Sequence, residues 1–369
     1  MPGTVIGALR DFLPAFQAAH PVLDSQRCRA VWALTHCRTP AMGGHLHASP
    51  SCGKQEFRCH SCNHRSCPQC GALGNAEWVA RELDKRVGAP YFMVTFTLPS
   101  ELRGAFQGRR AKAVFDLFFA AASGALAGLL ANPRWLGAKH SGFTLVLHTW
   151  NQRMQFHPHL HAIVPGAGVD KQGRVVSVRN PAFLVPQKAL CHVFRARFRD
   201  AFQAFAKREG LPPITASVWT TNWGVHLQPF GSGENAIRYL GRYVCRSVMG
   251  NGRIVGVGAN SVTFRWKDRA HGNLARTNTV LGVEFVERFL RHVLPGGLRS
   301  IRHYGFCHPA GKKRRERVAF HTGRPLFRAP PPPRPPPQPC ACGAGPLVMV
   351  LRVRPAWKSG HDPPKKQSI

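Results

Sequence analysis

Acidic side chains are scarce in this chain: 17 Asp and Glu stand against 51 Lys and Arg, a formal net charge of +34 over 369 residues. A field of that sign repels basic partners and attracts polyanions, so nucleic acid is the expected partner. No apolar run is expected to approach the ~20 residues of a membrane span. The start, Met1 to Leu13, has an acidic residue and lacks the apolar segment of a secretory signal. No membrane partner is therefore expected, and the expected compartment is the cytoplasm, with association to the nucleoid. Tyrosine is scarce as well, with four in the whole chain. No internal repeat is visible. The length allows two or three domains, and a 44% hydrophobic content fits a folded protein rather than a disordered one.

Cysteine, by contrast, is plentiful and uneven. Of the 12, Cys28, Cys37, Cys52, Cys59, Cys62, Cys67 and Cys70 crowd the front, and Cys340 and Cys342 sit near the end. In a reducing compartment this density points to zinc rather than disulfides. Cys67-Pro68-Gln69-Cys70 and Cys59-His60-Ser61-Cys62 each have the C-x-x-C spacing that lets two thiolates share one tetrahedral ion. The structural zinc candidates are Cys37, His45, Cys52, Cys59, Cys62, Cys67 and Cys70, and their spacing leaves the pairing open. Such an ion folds a module without doing chemistry, supplying on the order of 10 kcal/mol.

Residues 1–36 read as short helical pieces, and residues 75–88 as a helix around Trp78 and Leu83. Tyr91 to Leu98, Phe143 to Trp150, His159 to Val164, Ser217 to Leu227 and Ser261 to Lys267 read as strands. Ala105 to Leu130, 187–208, Glu234 to Val248 and Val283 to Val293 read as helices, the second with a stripe of Leu190, Phe194, Phe198, Phe202 and Phe205. Strands and helices are mixed without strict alternation. The expected class is α+β, with a mostly antiparallel sheet and flanking helices. Three regions are expected: 1–88, a helical and zinc-binding DNA-recognition module; 89–306, a catalytic domain; and 307–369, a basic, proline-rich tail.

Phe156-His157-Pro158-His159-Leu160-His161 is the most informative segment. On a strand His159 and His161 share one face, about 7 Å apart, while Leu160 and Ala162 take the other. Two imidazoles so placed can hold one ion. The amide of Gln152, at the end of the preceding strand, is the expected third ligand, leaving positions open for phosphate and water. Unaided, the same pattern also fits half-exposed strand histidines or another zinc site.

Two of the four tyrosines, Tyr239 and Tyr243, lie four apart on a helical pattern, nearly above one another at about 100° per residue. Ile237, Leu240, Val244 and Val248 form the apolar stripe. The tyrosines lie at its border, with Arg238, Arg242 and Arg246 beyond them as a DNA-binding ridge. A phenol with a pKa near 10 is a poor nucleophile at neutral pH. Cations and a metal-polarised phosphodiester make it a useful one. The H-x-H strand, the tyrosine pair and the positive field are coherent under that chemistry and unrelated if the tyrosines only pack.

These segments resemble the rolling-circle insertion-sequence transposases of the two-tyrosine HUH class. The likeness rests on the Cys37 to Gly71 module, Phe96-Thr97-Leu98-Pro99, Leu147-His148-Thr149-Trp150 leading to His157-Pro158-His159-Leu160-His161, Tyr239-Leu240-Gly241-Arg242-Tyr243, and Phe264-Arg265-Trp266-Lys267-Asp268 with Ile301-Arg302-His303-Tyr304-Gly305. The resemblance implies an HUH fold, His159 and His161 as ligands of magnesium or manganese, and Tyr239 and Tyr243 as nucleophiles. It also implies nicking and transfer of single-stranded element ends and target DNA through a 5′-phosphotyrosine. Ser49 stands where members of the family usually carry a cysteine, and Ser66 where they usually carry a histidine. Rival readings are an HUH replication initiator, a relaxase, or a non-catalytic zinc-dependent DNA-binding protein.

Overall fold

A computed structural model describes residues 3–220, 223–244, 247–324, 339–343 and 345–355, with the backbone alone at 71–73, 242–244 and 269. In chain order the elements are α1 (Val5–Ala19), α2 (Ser25–Thr35), β1 (Gly44–Ala48), β2 (Gln55–Cys59), α3 (Gly71–Asp84), β3 (Tyr91–Thr97), α4 (Ala111–Ala131), β4 (His140–Trp150), β5 (Phe156–Pro165), β6 (Ala167–Val169) and β7 (Val175–Ser177). They continue with α5 (Gln187–Arg208), β8 (Gly224–Pro229), α6 (Glu234–Val244), β9 (Ile254–Val257), β10 (Ser261–Asp268), β11 (Leu274–Leu281), α7 (Gly282–Leu290), β12 (Ile301–Gly305), α8 (Lys312–His321) and β13 (Val348–Val353). The α+β class with an antiparallel sheet is what the structure shows.

Two compact units emerge. One gathers Met1–Leu73, Arg246–Val293 and Ala329–Ile369, and the other Gly74–Cys245 and Leu294–Arg328. This division crosses the boundaries expected near 88 and 306, because strand pairing brings distant stretches together where composition changes only locally.

In the first unit the hydroxyl of Thr4 accepts from the Gly7 N–H and starts α1, as Asp24 accepts from Gln26 and Arg27 and starts α2. Each cap satisfies N–H groups that the helix itself cannot. Val5, Leu9, Phe12 and Phe16 recur at helical spacing and are buried. Gly282 opens α7 so close to the Phe12 ring that a Cβ there would stand 2.1 Å from it. One small sheet runs β13–β1–β2 and another β11–β10–β9, all antiparallel. The pairing of β13 with β1 places Val348–Val353 beside residues of the front module, where sequence composition had suggested only tail.

The second unit holds a seven-stranded sheet in the order β7–β6–β4–β5–β3–β8, with β12 also paired to β4. Alternation gives it two faces. Phe92, Val94 and Phe96 of β3, Phe143, Leu145 and Leu147 of β4, and Leu160, Ala162 and Val164 of β5 face α4 and α5 in the main core. Met93, Val146 and Ile163 face the other way, toward Trp78 of α3, Ile237 and Leu240 of α6, and Val318 and Ala319 of α8.

Two expectations need correction. The 21-residue helix α4 is long and apolar enough to cross a membrane by length and composition, where no such run was expected. Its Phe115, Phe118, Phe119, Ala122 and Leu126 are buried against the sheet, so a two-sided core position accounts for that composition. Ser217 to Leu227 is not one strand. A short 3-10 turn, Ala216–Trp219, precedes β8. The Trp223 indole N–H donates to the Val218 carbonyl and its ring stacks 6.0 Å from Trp219, so the aromatics fold the chain back there.

Candidate active site and zinc module

The hairpin of β4 and β5 builds the catalytic candidate. Its register pairs Val146 with His161 and His148 with His159. On the other side of β5, β3 pairs Thr95 with His161 and Thr97 with His159. Three imidazoles thus meet on one face. The ligand atoms of His148, His159 and His161 all lie within 4.8 Å of one another. Their rings stand edge to face, 5.3 Å apart for His148 and His159, 4.8 Å for His148 and His161, and 4.9 Å for His159 and His161. Trp150 stacks on His148 at 5.4 Å.

Second partners orient two of the rings. The Nδ1 of His159 lies 2.7 Å from the His157 carbonyl oxygen, which can only accept, so Nδ1 carries the proton and Nε2 keeps its lone pair. The Nδ1 of His161 lies 3.0 Å from the Thr95 hydroxyl. Such partners set tautomer and ring direction, as they do for metal-bound imidazoles generally. Three imidazole nitrogens gathered in this way suit a divalent ion. His148 was missed from sequence as a member of this group. Its signal was present in the hairpin arithmetic, since the residues that face each other from Thr144 and Ile163 to His148 and His159 sum to a constant. Gln152, expected as third ligand, lies half-buried in the turn between the strands.

Tyr239 is half-buried on α6, with its ring 6.5 Å from that of His161 and perpendicular to it. Tyr243 is one turn further along the same helix, and its side chain, with those of Arg242 and Arg246, lies outside the described residues. Arg238 is exposed and pairs with Glu234 at 2.8 Å. Glu234 also meets Arg86 at 3.4 Å, and Arg86 donates to the Ser232 carbonyl, which ties down the start of α6. Gly241, between the two tyrosines, lets α6 close on α3, for a Cβ there would stand 2.0 Å from Val79 Cγ2.

In the front module Cys37, Cys62, Cys67 and Cys70 converge. Sγ atoms are 3.6 Å apart for Cys37 and Cys70, 3.7 Å for Cys62 and Cys70, and 3.6 Å for Cys37 and Cys67. A tetrahedral zinc with Zn–S near ~2.3 Å needs thiolates about 3.8 Å apart, so the donor set fits. The crowded thiols share protons unequally. The neighbouring Cys62 thiol, donating a hydrogen bond, pulls Cys67 down to about 5, while burial pushes Cys37 up to about 11. Cys52 belongs to a second group with Cys340 and Cys342. Its thiol is lowered to about 7, first by the adjoining Ser49 hydroxyl. His45 lies on β1 with its ring 4.6 Å from His60, and Cys59 ends β2 opposite Gly44. Among the described residues neither joins these groups.

Residues 142–316 match a family model described as "Putative transposase", and residues 8–98 match one described as "Transposase zinc-binding domain" of the IS91 type. A protein named "Putative transposase y4qJ" from Sinorhizobium fredii is 35% identical over 319 residues, covering 82% of this chain and 79% of that one. The "Transposase for insertion sequence element IS801" from Pseudomonas savastanoi pv. phaseolicola is 26% identical over 276 residues, covering 69% and 63%. No solved structure gives a significant match. The chain belongs to the IS91-type family of rolling-circle insertion-sequence transposases, DNA-acting enzymes with a zinc-binding domain ahead of the transposase domain.

Proposed function

We propose that the chain cuts and rejoins single DNA strands at element ends and target through a tyrosine-linked 5′ phosphate, with His148, His159 and His161 holding magnesium or manganese. The observation that carries this reading is the convergence of three imidazoles on the sheet face where Tyr239 stands 6.5 Å from His161. We assign the third metal position to His148 rather than Gln152, because His148 faces His159 directly. A divalent ion at these nitrogens supplies Lewis acidity to a phosphodiester oxygen.

The remaining work falls to side chains. The phenol oxygen of Tyr239 or Tyr243 attacks phosphorus, the bond from phosphorus to the 3′ oxygen breaks, and that oxygen leaves as a hydroxyl after taking a proton. The 5′ phosphate remains esterified to tyrosine. Attack by a 3′ hydroxyl reverses the step and joins strands, so the bond energy is conserved. Thr95 and the His157 carbonyl hold His161 and His159 in their directions throughout. Arg238, Arg242 and Arg246 bind phosphates, giving steeply salt-sensitive binding.

Incubation of the full chain with labelled single-stranded end DNA and manganese, followed by a denaturing gel, tests this. A covalent adduct is expected, lost in the double variant Tyr239→Phe, Tyr243→Phe. Absence of an adduct with the unaltered protein, or its survival in the double variant, rejects the mechanism and leaves a DNA-binding protein without this chemistry.

A further inference from the structure

Beyond the four-cysteine group, the loop after β1 and the segment before β13 bring three more thiols together. Cys52 and Cys340 are 288 positions apart in sequence, and their sulfurs stand 3.7 Å apart. The Cys342 sulfur completes a set lying within 4.8 Å of one another. A disulfide needs about 2.05 Å. Two thiolates on one tetrahedral zinc need about 3.8 Å, and the front module has that spacing at 3.6–3.7 Å.

Both carriers are tight turns. In one, the Ser49 N–H donates to the Lys54 carbonyl and the Gly53 N–H to the Ser49 carbonyl, each at 2.9 Å. In the other, the Cys340 N–H donates to the Gly345 carbonyl at 2.8 Å and the Gly343 N–H to the Cys340 carbonyl at 3.0 Å. Turns of this kind, rich in backbone hydrogen bonds, present thiols in fixed directions. Ser49-Pro50-Ser51-Cys52 repeats the C-x-x-C spacing with oxygen in place of the first sulfur. Ser49 is 2% exposed and Cys340 3% exposed. The strand that follows needs such an anchor. All six residues of β13 are exposed, so it pairs with β1 through its backbone while burying no side chain of its own. Apolar burial, the main source of stability elsewhere, contributes little there.

We propose that Cys52, Cys340 and Cys342 bind a second zinc ion, with an oxygen from Ser49 or water as fourth ligand, and that this ion fastens the end of the chain to the front module. The site stands apart from strand cleavage, and its test uses no DNA. Native mass spectrometry of the full chain loaded with zinc should count one ion more than the Cys340→Ser, Cys342→Ser variant holds, since the four-cysteine group and the histidine group are the same in both. Ser49→Cys should keep the additional ion and hold it against a chelator concentration that strips it from the unaltered protein. With zinc bound, Cys52, Cys340 and Cys342 should alkylate about tenfold more slowly than after chelation. Equal ion counts on the unaltered chain and the double-serine variant, or equal alkylation with and without zinc, overturn the proposal. The alkylation and Ser49→Cys measurements decide it even where the double-serine variant does not fold.

Discussion

His148 lies directly across the β4–β5 pair from His159, with the two rings 5.3 Å apart and 89° to one another. Neither strand alone carries the three-nitrogen group. The expected consequence is that His148→Ala abolishes the manganese-dependent DNA adduct as fully as His159→Ala, while Gln152→Ala retains it. Gel quantification of the adduct over a manganese titration decides between them.

Thr95 meets the group through His161, by the 3.0 Å contact to Nδ1. Thr95→Val keeps the shape of the side chain and removes the hydroxyl. Manganese affinity, read by titration of adduct formation, should weaken roughly 10–100-fold. Thermal unfolding should change little. A variant with unaltered metal dependence would show that the hydroxyl does not position the ring.

Gly241 leaves no room for a methyl group beside Val79. Gly241→Ala should cost about 1–3 kcal/mol of stability by overpacking and lower adduct yield by shifting the tyrosine helix. Adding Val79→Ala should restore both, because the two sites share one contact. Denaturant unfolding of the two single variants and the double variant measures the coupling.

Burial holds the His303 imidazole below its ordinary pKa, against the opposing pull of Glu82. The unfolded chain takes up that proton near pH ~6.5, whereas the folded chain does so only at lower pH. Unfolding therefore binds protons below pH ~6.5, and the stability present above that value is lost as pH falls. Urea midpoints at successive pH values from neutral to mildly acidic should decline, and His303→Gln should flatten the decline.

Periodicity made much of the fold legible. The stripe Leu190, Phe194, Phe198, Phe202 and Phe205 marks α5 because every fourth residue meets the same core. The H-x-H pair was visible because both residues sit on one strand. His148 was not recognised because it comes from across a hairpin whose register shifts between His148 and Trp150. Strand β11 escaped notice since Leu274–Leu281 is mostly exposed and pairs through its backbone with β10. Cys340 and Cys342 carried no sign of Cys52, because local spacing does not encode a contact between sequence-distant turns.

Strand β13 pairs with β1 of the front module, so the unit that holds them closes only after Val353 has been made. The sheet unit is drawn from residues 74–245 and 294–328, all of which precede β13. During synthesis the sheet unit can therefore be finished while β1 still presents an open edge and Cys52 has no thiol companions from Cys340 and Cys342. A stop codon ahead of Cys340 would freeze the protein at that stage. The truncated product would retain the histidine face while exposing an unpaired strand, the kind of edge that recruits other chains. Gene copies shortened at this end are thus expected to yield aggregating protein rather than a smaller working enzyme.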